Sequence, residues 1–416
     1  MAVAGSVPET PDVVIVGAGV AGASMAIVLA RQGRSVLLLE KSKKHVDRVR
    51  GESITPWGVA EARELGLLDI LMEAGGHFAS KIVLYGEGID PEISGSRPID
   101  IASLIPGIGG NLKLGHPAMC QALDDAATAA GVPLLRGVGR VTITAGERPT
   151  ISFRHEGRTV ELRPRLIVGA DGRGSAVARQ IGAEVETDPL HHIFGGLLID
   201  ACPDWPDDTM VTGTEGRGTF YIFPQGQGRI RLYYAYGTDR RREFSGPDGA
   251  RNFLDAFRLE TVPGSEWVAA ARAAGPCQGY PNADTWVDRP YAPGVVLVGD
   301  AAGHNDPTIG QGVSIAFRDV RLVAEALAAH DRWTPDMFEP YAAERRRRMA
   351  RLRTTAQQFS KYRCEYTEAR RAGRFRAAER LAKDPSLAMP FQTVLMGPDL
   401  MPDEAYTPAV WQRLFE

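Results

Sequence analysis

The feature that most constrains the fold is a Gly-x-Gly-x-x-Gly pattern near the start of the chain, formed by Gly17, Gly19 and Gly22. Residues 12–16 before it, which are apolar after Asp12, predict a buried strand, and the residues after it predict a helix that continues to about Gln32. Glycines at this spacing permit a tight turn and let backbone N–H groups approach a phosphate. The sequence therefore predicts an anion-binding turn at a helix N-terminus.

The segment after this helix completes a strand–helix–strand unit. Gly33 supplies a helix stop, and residues 35–39 form a second apolar strand that ends in Glu40. An acidic residue at this position accepts hydrogen bonds from an adenosine ribose. The spacing predicts a Rossmann-like parallel sheet that binds a dinucleotide, but it does not distinguish FAD from NAD.

Two later segments repeat the form of a buried strand followed by glycine and aspartate. Residues 167–175 read Ile-Val-Gly-Ala-Asp-Gly-Arg-Gly-Ser, and residues 296–312 begin Val-Leu-Val-Gly-Asp and end Pro-Thr-Ile-Gly-Gln-Gly. With the first glycine pattern, their order resembles the p-hydroxybenzoate hydroxylase family of flavoprotein monooxygenases over about residues 11–330. The resemblance implies FAD as the bound dinucleotide.

The resemblance also implies roles for individual residues. Asp300 would bind the ribityl hydroxyls of FAD, and the backbone amides around Gly310, Gly312 and Val313 would face the flavin N1 and O2 edge. A helix N-terminus stabilises the negative charge that a reduced flavin carries there. Asp171 would couple the FAD region to NADPH or NADH.

Arg50 and the histidines are further candidates. The resemblance places Arg50 beside the FAD pyrophosphate, although a solvated basic turn explains the same residue. Where many relatives have an arginine at the start of a helix, this chain has His116, and a histidine expected at Gly303 is displaced to His304. With its near-neutral pKa, His304 is a candidate proton relay, and a structural role is the alternative.

The segment 187–290 alternates apolar and polar residues, which predicts a half-exposed antiparallel sheet. We assign this sheet to substrate binding. Phe220, Tyr221 and Phe223 are the candidate substrate contacts, and ordinary core packing is the alternative for each of them. Tyr221, with Pro307 near the reactive edge of the flavin by resemblance, is also a catalytic candidate.

These patterns predict an α/β fold, with a Rossmann-like, glutathione-reductase-like FAD-binding domain, an inserted antiparallel β-sheet substrate domain and a helical C-terminal region. The predicted FAD-binding domain is discontinuous and comprises residues 11–80, 116–186 and 291–330. The predicted substrate domain comprises residues 81–115 and 187–290, and the C-terminal region comprises residues 331–416.

The predicted function is that of an FAD-dependent monooxygenase. It would use NADPH or NADH and O2 to hydroxylate or epoxidise an aromatic or polycyclic small molecule through a flavin C4a-hydroperoxide. A geranylgeranyl-reductase-like enzyme and a flavin-dependent halogenase are alternatives, because residues 51–53, Gly-Glu-Ser, resemble both. Halogenases usually have two tryptophans in the segment that corresponds to residues 218–224, and this chain has neither of them. It also has no recognisable counterpart of the halogenase lysine. A noncatalytic flavin-binding protein is a further alternative.

The amino-acid composition indicates which classes of partner this chain is expected to bind. With 48 basic and 51 acidic residues and a net charge of −3, the chain has no global field for nucleic acid. The arginine run 345–348 is interpreted as part of a predicted helix whose arginines spread over several faces, and contact with the phosphate of NADPH is the alternative. Four scattered cysteines predict neither disulfides nor a metal site and fit a cytoplasmic location. The glycines within the apolar residues 13–30 argue against a membrane span or a targeting segment. A separate flavin reductase and a homodimer are left open.

Overall fold

A computed structural model describes residues 10–200 and 205–416. Its strands are mostly short, and the longest belong to the predicted substrate domain. In chain order they are β1 (Val13–Val16), β2 (Val36–Glu40), β3 (Ser53–Ile54), β4 (His77–Ala79), β5 (Lys81–Gly86), β6 (Ile99–Asp100), β7 (Asn111–Lys113), β8 (Leu134–Arg136), β9 (Val141–Thr144), β10 (Thr150–His155), β11 (Arg158–Leu162), β12 (Leu166–Gly169), β13 (Glu186–Thr187), β14 (His192–Asp200), β15 (Thr209–Glu215), β16 (Gly218–Gly226), β17 (Arg229–Gly237), β18 (Arg272–Ala273), β19 (Gln278–Asn282), β20 (Thr285–Trp286), β21 (Tyr291–Ala292) and β22 (Val295–Leu297).

The helices are short in the first half of the chain and dominate its last quarter. In chain order they are α1 (Val20–Arg31), α2 (Pro56–Glu64), α3 (Leu68–Glu73), α4 (Pro91–Gly95), α5 (His116–Ala129), α6 (Ala176–Gln180), α7 (Gly249–Asp255), α8 (Ser265–Ala270), α9 (Gly312–Ala329), α10 (Glu339–Arg363), α11 (Glu368–Lys383), α12 (Met389–Met396) and α13 (Pro408–Phe415). None of the helices within the described ranges is long and apolar enough to cross a membrane.

A six-stranded sheet organises the first domain, in the order β21-β22-β12-β1-β2-β8. Strand β1 lies between β2 and β12 and pairs with both in parallel, and β22 continues the parallel part of the sheet. The residues of β1 are apolar and buried, as a parallel strand covered on both faces requires. Helices α1, α5 and α9 pack together beside it. The carboxyl ends of β1, β12 and β22 therefore lie together at one edge of the sheet.

An eight-stranded sheet forms the second domain, in the order β18-β14-β17-β16-β15-β5-β6, with β19 also paired to β14. The expectation of a half-exposed sheet is wrong for its central strands, because β14, β16 and β17 are buried along most of their length. Apolar residues of α7 and α8 cover one face. Val49, from the first domain, and Cys364, which follows α10, cover the other.

The small sheet β3-β7-β4 lies between the two larger sheets, and both β4 and β7 contact β16. The C-terminal helices return to the first domain, where α10 contacts α9 and α12 contacts α2. The mixed α/β architecture and the helical C-terminal region are confirmed. The loop after β22 lies against the second domain, where the Tyr221 hydroxyl of β16 donates to the Thr308 carbonyl oxygen.

Candidate functional site

The glycine turn after β1 has the geometry of a phosphate cradle. Gly17 adopts φ 104°, and a Cβ there would lie 2.4 Å from the carbonyl oxygen of Ala170. A Cβ on Gly22 would lie 1.8 Å from the carbonyl oxygen of Gly17, so helix α1 approaches the strand more closely than any side chain permits. Gly19 precedes α1 and faces open space, with no atom within 4 Å of its Cβ position. The α1 N-terminus is thus open to an anion.

Glu40 closes the adenosine side of this cradle. Its Oε2 accepts a hydrogen bond from the Ala18 N–H at 2.9 Å, and its Oε1 accepts one from the Ser42 N–H at 2.8 Å. Burial by itself raises the pKa of the carboxyl, but these hydrogen bonds outweigh it and the pKa lies below its usual value. The ionised carboxylate retains lone pairs that fit ribose hydroxyls.

A cationic cluster follows around Asp300. The Arg173 Nε donates to the Asp300 Oδ2 at 3.4 Å, and the Arg173 guanidinium lies 5.8 Å from the Tyr280 ring centre. Arg50 is half-buried, and burial followed by the charge of Arg173 lowers its pKa. Arg50 takes part in none of the ion pairs found among residues 10–200 and 205–416. Two neighbouring guanidiniums with one carboxylate between them fit an anionic group such as a pyrophosphate.

The four arginines of the run 345–348 lie on different faces of α10, and two of them are buried. Arg345 and Arg348 are buried on α10 and form ion pairs with the buried carboxylate of Asp319 at 3.1 and 2.7 Å. The Arg345 guanidinium also donates to the carbonyl oxygens of Ala302 at 2.7 Å and Gly303 at 2.9 Å. These arginines brace the turn that carries Asp300. Only knowing that α10 packs on α9 reveals this role.

Residues 303–311, which we call the Pro307 loop, lead into helix α9. Pro307 begins a short 3-10 helix, and Gly310 has the left-handed φ of 66°. A Cβ on Gly310 or Gly312 would meet nothing within 4 Å. Gln311 is fully buried, and its Oε1 accepts a hydrogen bond from the Trp57 Nε1 at 2.7 Å. The N-terminus of α9, beginning Gly312-Val313, is therefore held in place beside open space.

A buried polar network supports the Pro307 loop from the second domain. His192 of β14 is fully buried, and its Nε2 lies 2.8 Å from the Thr308 Oγ1 and 3.6 Å from the Asp306 Oδ2. Ser360 of α10 donates to the same Asp306 oxygen at 3.1 Å. Burial alone would raise the pKa of Asp306, but His192 and Thr308 lower it to about 2. No partner of His192 can be recognised in the sequence. In the structure, its contacts with Thr308 and Asp306 help to position the Pro307 loop.

His304 lies in the same loop, beside the cationic cluster. Its Nδ1 is 2.8 Å from the Thr285 Oγ1, and its backbone N–H donates to that oxygen at 3.0 Å. Burial, followed by the positive charge of Arg173, lowers the pKa of the imidazole to about 4. The ring is therefore neutral at pH 7, so its environment disfavours the predicted role as a proton relay near neutral pH.

The aromatic residues of β16 separate by face, as alternate residues of a strand must. Tyr221 and Phe223 pack with Phe194 and Tyr233 on the face toward the Pro307 loop. Phe220 points to the opposite face, into the core formed with α7 and α8, which favours core packing over the predicted substrate contact.

Tyr221 joins the two domains. Its hydroxyl donates to the Thr308 carbonyl oxygen at 3.2 Å, and burial holds its pKa well above the usual value. The phenol remains protonated, so the structure favours a positioning role for Tyr221 over the predicted catalytic one. We call Tyr221, Phe223, Phe194 and Tyr233 the aromatic wall.

Asp171 and His116 are both committed to local structure. The Asp171 Oδ2 accepts hydrogen bonds from the N–H groups of Ala176 at 2.6 Å and Val177 at 3.2 Å, which caps helix α6. His116, at the start of α5, packs against Gly51, whose Cβ position lies 2.9 Å from the His116 Nδ1. Burial and the charge of Arg50 lower the pKa of His116 to about 4. A coupling of Asp171 to NAD(P)H stays a prediction.

Two buried ionisable groups near the site escaped the sequence analysis. Glu52 accepts two hydrogen bonds from Arg231 of β17, at 2.6 and 2.7 Å, and one from the Tyr233 hydroxyl at 3.1 Å. Lys113 of β7 is fully buried, and its Nζ donates to the Ser53 Oγ at 2.7 Å. The Gly-Glu-Ser segment at residues 51–53 was a visible signal. No comparable signal marked Lys113, because its strand β7 reads Asn-Leu-Lys and lysine is normally exposed.

Comparisons with known proteins agree with this geometry. A family model described as FAD binding domain matches residues 10–356. Digeranylgeranylglycerophospholipid reductase 1 of Methanococcoides burtonii is 28% identical over 330 residues, covering 76% of this chain and 74% of that protein. A squalene epoxidase of Aspergillus fumigatus is 29% identical over 335 residues, covering 76% of this chain and 66% of that protein, just under two thirds of its length.

A solved structure shows the same architecture. The crystal structure of PqsL, a probable FAD-dependent monooxygenase from Pseudomonas aeruginosa, has a TM-score of 0.72 and 26% sequence identity. The match covers 88% of this chain and 99% of that one. The likeness therefore extends over most of this chain and nearly all of that one.

Proposed function

Because this chain belongs to the FAD binding domain family, which matches it over residues 10–356, we propose that it is an FAD-dependent monooxygenase. It uses NADPH or NADH and O2 to hydroxylate or epoxidise an aromatic or polycyclic small molecule. The observation that carries the proposal is the open N-terminus of α9, which lies beside the Pro307 loop. Tyr221 of the aromatic wall is hydrogen-bonded to the same loop. The relatives named as an epoxidase and a monooxygenase support it.

The residues present fit FAD in three ways. Gly19, Gly310 and Gly312 leave space where any larger residue would project. The α1 N-terminus and Arg50 suit the pyrophosphate, and Glu40 and Asp300 suit the sugar hydroxyls. Bound FAD supplies the transfer of electrons from NAD(P)H and the activation of O2. The α9 N-terminus stabilises negative charge on the flavin ring during reduction.

The aromatic wall excludes water from the reacting centre, because its rings pack with centre-to-centre distances of 5.1–6.1 Å between Phe194, Tyr221, Phe223 and Tyr233. Water exclusion matters in oxygen transfer, since solvent access favours release of hydrogen peroxide instead of product. The Tyr221–Thr308 hydrogen bond ties this wall to the Pro307 loop, so wall and loop keep a constant separation. A cytoplasmic location, where NAD(P)H is regenerated, belongs to the same proposal.

Oxygen consumption tests the proposal. The purified FAD-bound protein is supplied with NADPH or NADH and a panel of aromatic compounds, and O2 uptake is measured with and without catalase. An oxygenase substrate should increase NAD(P)H oxidation and raise the share of O2 that is not recovered as hydrogen peroxide. Asp300→Ala, which is expected to retain FAD poorly, is the matched control. Oxidation of NAD(P)H that yields only peroxide with every compound argues against the proposal.

The second candidate is a flavin reductase that saturates a double bond, favoured by the 28% identity to the archaeal reductase. It predicts anaerobic oxidation of the reduced protein by an added polyprenyl alkene, with no need for O2. A halogenase would instead require halide for product formation. An absolute O2 requirement without halide dependence separates the monooxygenase from both.

A further inference from the structure

The face of the second sheet that carries the aromatic wall continues past that wall to the edge of the sheet. On β15, Met210 belongs to an apolar cluster against which Phe223 packs, and it pairs directly with Ile82 of β5. Ile82 in turn pairs with Ile99 of the edge strand β6. Because residues paired on neighbouring strands point to the same face, these four side chains form one line across the sheet. We call Phe223, Met210, Ile82 and Ile99 the apolar row.

The apolar row becomes more exposed toward the edge of the sheet. Met210 is buried and Ile82 is half-buried, whereas Ile99 is 39% exposed. Leu84, two residues after Ile82 on β5 and therefore on the same face, is 45% exposed. Single exposed apolar residues are common on protein surfaces, but adjacent ones that continue a buried cluster mark a binding surface. The outer end of the apolar row is therefore open to a ligand.

Helix α12 lies beside the inner end of the apolar row. Its Leu395 is half-buried and packs on the cluster that contains Met210. The carbonyl oxygen of the preceding residue, Val394, accepts a hydrogen bond from the Gln311 Nε2 at 3.0 Å. The helix is thus fixed to the Pro307 loop on one side and to the apolar row on the other. Because the family model ends at residue 356, α12 lies outside the pattern that the family shares.

The shape of this surface indicates what covers it. The surface is narrow, because Thr212, which pairs with Leu84, is buried and its Oγ1 accepts a hydrogen bond from the Arg363 Nη2 at 3.3 Å. A strip of this width suits a hydrocarbon chain, whereas a stable contact with another protein buries a much broader surface. From β16 to β6 the row crosses three strand spacings, roughly 14 Å, which is the length of an extended chain of roughly ten carbon atoms.

We propose that the apolar row binds an aliphatic chain carried by the substrate, so that the protein acts on alkyl-substituted ring compounds in preference to bare ring systems. The ring system lies against the aromatic wall, and the chain runs from Phe223 past α12 toward Ile99. This inference rests on the proposed function, because it names the substrate class of the same site. The chain stabilises the complex by removing its own apolar surface and that of the row from water.

The test is a binding measurement that needs no turnover. The FAD-bound protein is titrated with the N-methyl, N-butyl and N-octyl amides of naphthalene-2-carboxylic acid, and the change in flavin absorbance is recorded. These neutral compounds share one ring system and differ only in chain length, and each is used below the concentration at which it aggregates. We expect the N-octyl amide to bind about a hundredfold more tightly than the N-methyl amide, with the N-butyl amide between them.

Variants distinguish the apolar row from a general affinity for hydrophobic compounds. Leu395→Ser, at the inner end, should weaken binding of the N-butyl and N-octyl amides about tenfold. The double variant Leu84→Ser with Ile99→Ser, at the edge of the sheet, should weaken only the N-octyl amide. Leu190→Ser is the matched control, because Leu190 is 47% exposed but lies outside the row, and it should bind all three amides as the unchanged protein does. If Leu395→Ser fails to fold, the edge variant decides.

Equal binding of the three amides by the unchanged protein, no binding of any of them, or a chain-length preference that persists in the edge variant overturns the inference. A dimer that the edge variant dissociates in analytical ultracentrifugation also overturns it, since a second copy then covers the row. Failure of the proposed function looks different. A chain preference that the edge variant loses, in a protein that consumes no O2 productively, leaves the apolar row standing and removes the monooxygenase. Oxygenation of bare aromatics without any chain preference does the reverse.

Discussion

Gly17 and Gly19 belong to one motif but are required for different reasons. At Gly17 the backbone has φ 104° and a Cβ would lie 2.4 Å from a carbonyl oxygen, so the constraint comes from the protein itself. At Gly19 a Cβ meets no protein atom within 4 Å, so the constraint comes from the bound phosphate. A sequence pattern shows the two glycines as equivalent, whereas the structure separates them.

This difference predicts contrasting effects of two alanine substitutions. Gly17→Ala should destabilise the FAD-free protein by about 1–3 kcal/mol, because it combines backbone strain with a close contact. Gly19→Ala should leave the stability of the FAD-free protein within about 0.5 kcal/mol and weaken only FAD binding. Thermal unfolding of the FAD-free proteins and the flavin content after purification measure the two effects. Equal destabilisation by both substitutions would contradict this account.

Asp284 is a second residue whose behaviour depends on its surroundings. It is buried and accepts a hydrogen bond from the Asp306 N–H at 3.0 Å, and burial with the nearby charge of Asp306 raises its pKa to about 8. The folded protein therefore binds a proton between about pH 4 and 8 that the unfolded chain has already released. Stability contributed by this group falls as pH rises through that window.

Asp284→Asn should remove this pH dependence, because the amide oxygen accepts the same hydrogen bonds without ionising. We expect the variant to melt a few degrees above the unchanged protein at about pH 9 and close to it at about pH 5. Melting curves followed by flavin fluorescence measure the difference. A gain that is the same at both pH values would show that Asp284 does not titrate in this range.

At the scale of elements, helix α10 determines how the Asp300 turn is held. Its buried arginines share the carboxylate of Asp319 on α9, and Asp319 also accepts a hydrogen bond from the Gly299 N–H at 2.9 Å. The carbonyl oxygens of the same turn are satisfied by Arg345. Helix α10, which contributes none of the candidate cofactor residues, thus holds the turn that carries the candidate residue Asp300.

Breaking this brace should be costly. Arg345→Met leaves the Asp319 carboxylate buried with one partner fewer, and we expect a destabilisation of about 3–5 kcal/mol and weaker retention of FAD. Arg347→Met is the control, because Arg347 lies on the same helix but is exposed; its effect should stay within about 0.5 kcal/mol. Chemical denaturation of both variants measures this. Similar losses in the two would remove the structural distinction between the arginines.

At the scale of the whole molecule, the cofactor residues come from segments that are far apart in the chain. The parallel sheet brings together three such segments, namely residues near 17–22, Arg50 and the 299–312 region. They meet only because β1 and β22 flank β12 in this sheet. A ligand that contacts all three segments stabilises the folded state without binding the unfolded chain. FAD is thus expected to act on global stability as well as on chemistry.

Removal and return of FAD tests this coupling. At about one hundred times its Kd, FAD should add about 2.7 kcal/mol, which corresponds to a rise in Tm of roughly 3 °C. Asp300→Ala should need a higher FAD concentration for the same rise, while its FAD-free Tm changes little. An FAD-free protein that melts at the same temperature with and without added FAD would contradict the site assignment.

Fold class and family could be predicted from the sequence because they depend on local patterns. Tight turns demand glycine, buried parallel strands demand apolar runs, and both requirements are met within a few residues along the chain. The family match over residues 10–356 confirms that interpretation. The predicted site residues remain predictions, and the structure brings Arg50, Asp300, His304 and the Pro307 loop together.

Other features of the site are decided only by the tertiary structure, because they depend on which elements pack together. The sequence alone predicted the dinucleotide-binding cradle in its strand–helix–strand unit and the existence of a second sheet, and the family resemblance identified the dinucleotide as FAD. It did not determine that Phe220 faces away from the Pro307 loop, that Arg345 and Arg348 are buried, or that Lys113 lies beside Ser53 and Phe223. Each of these three features depends on which face of a strand or helix is buried. Residues distant in sequence decide this when the sheets and helices pack together.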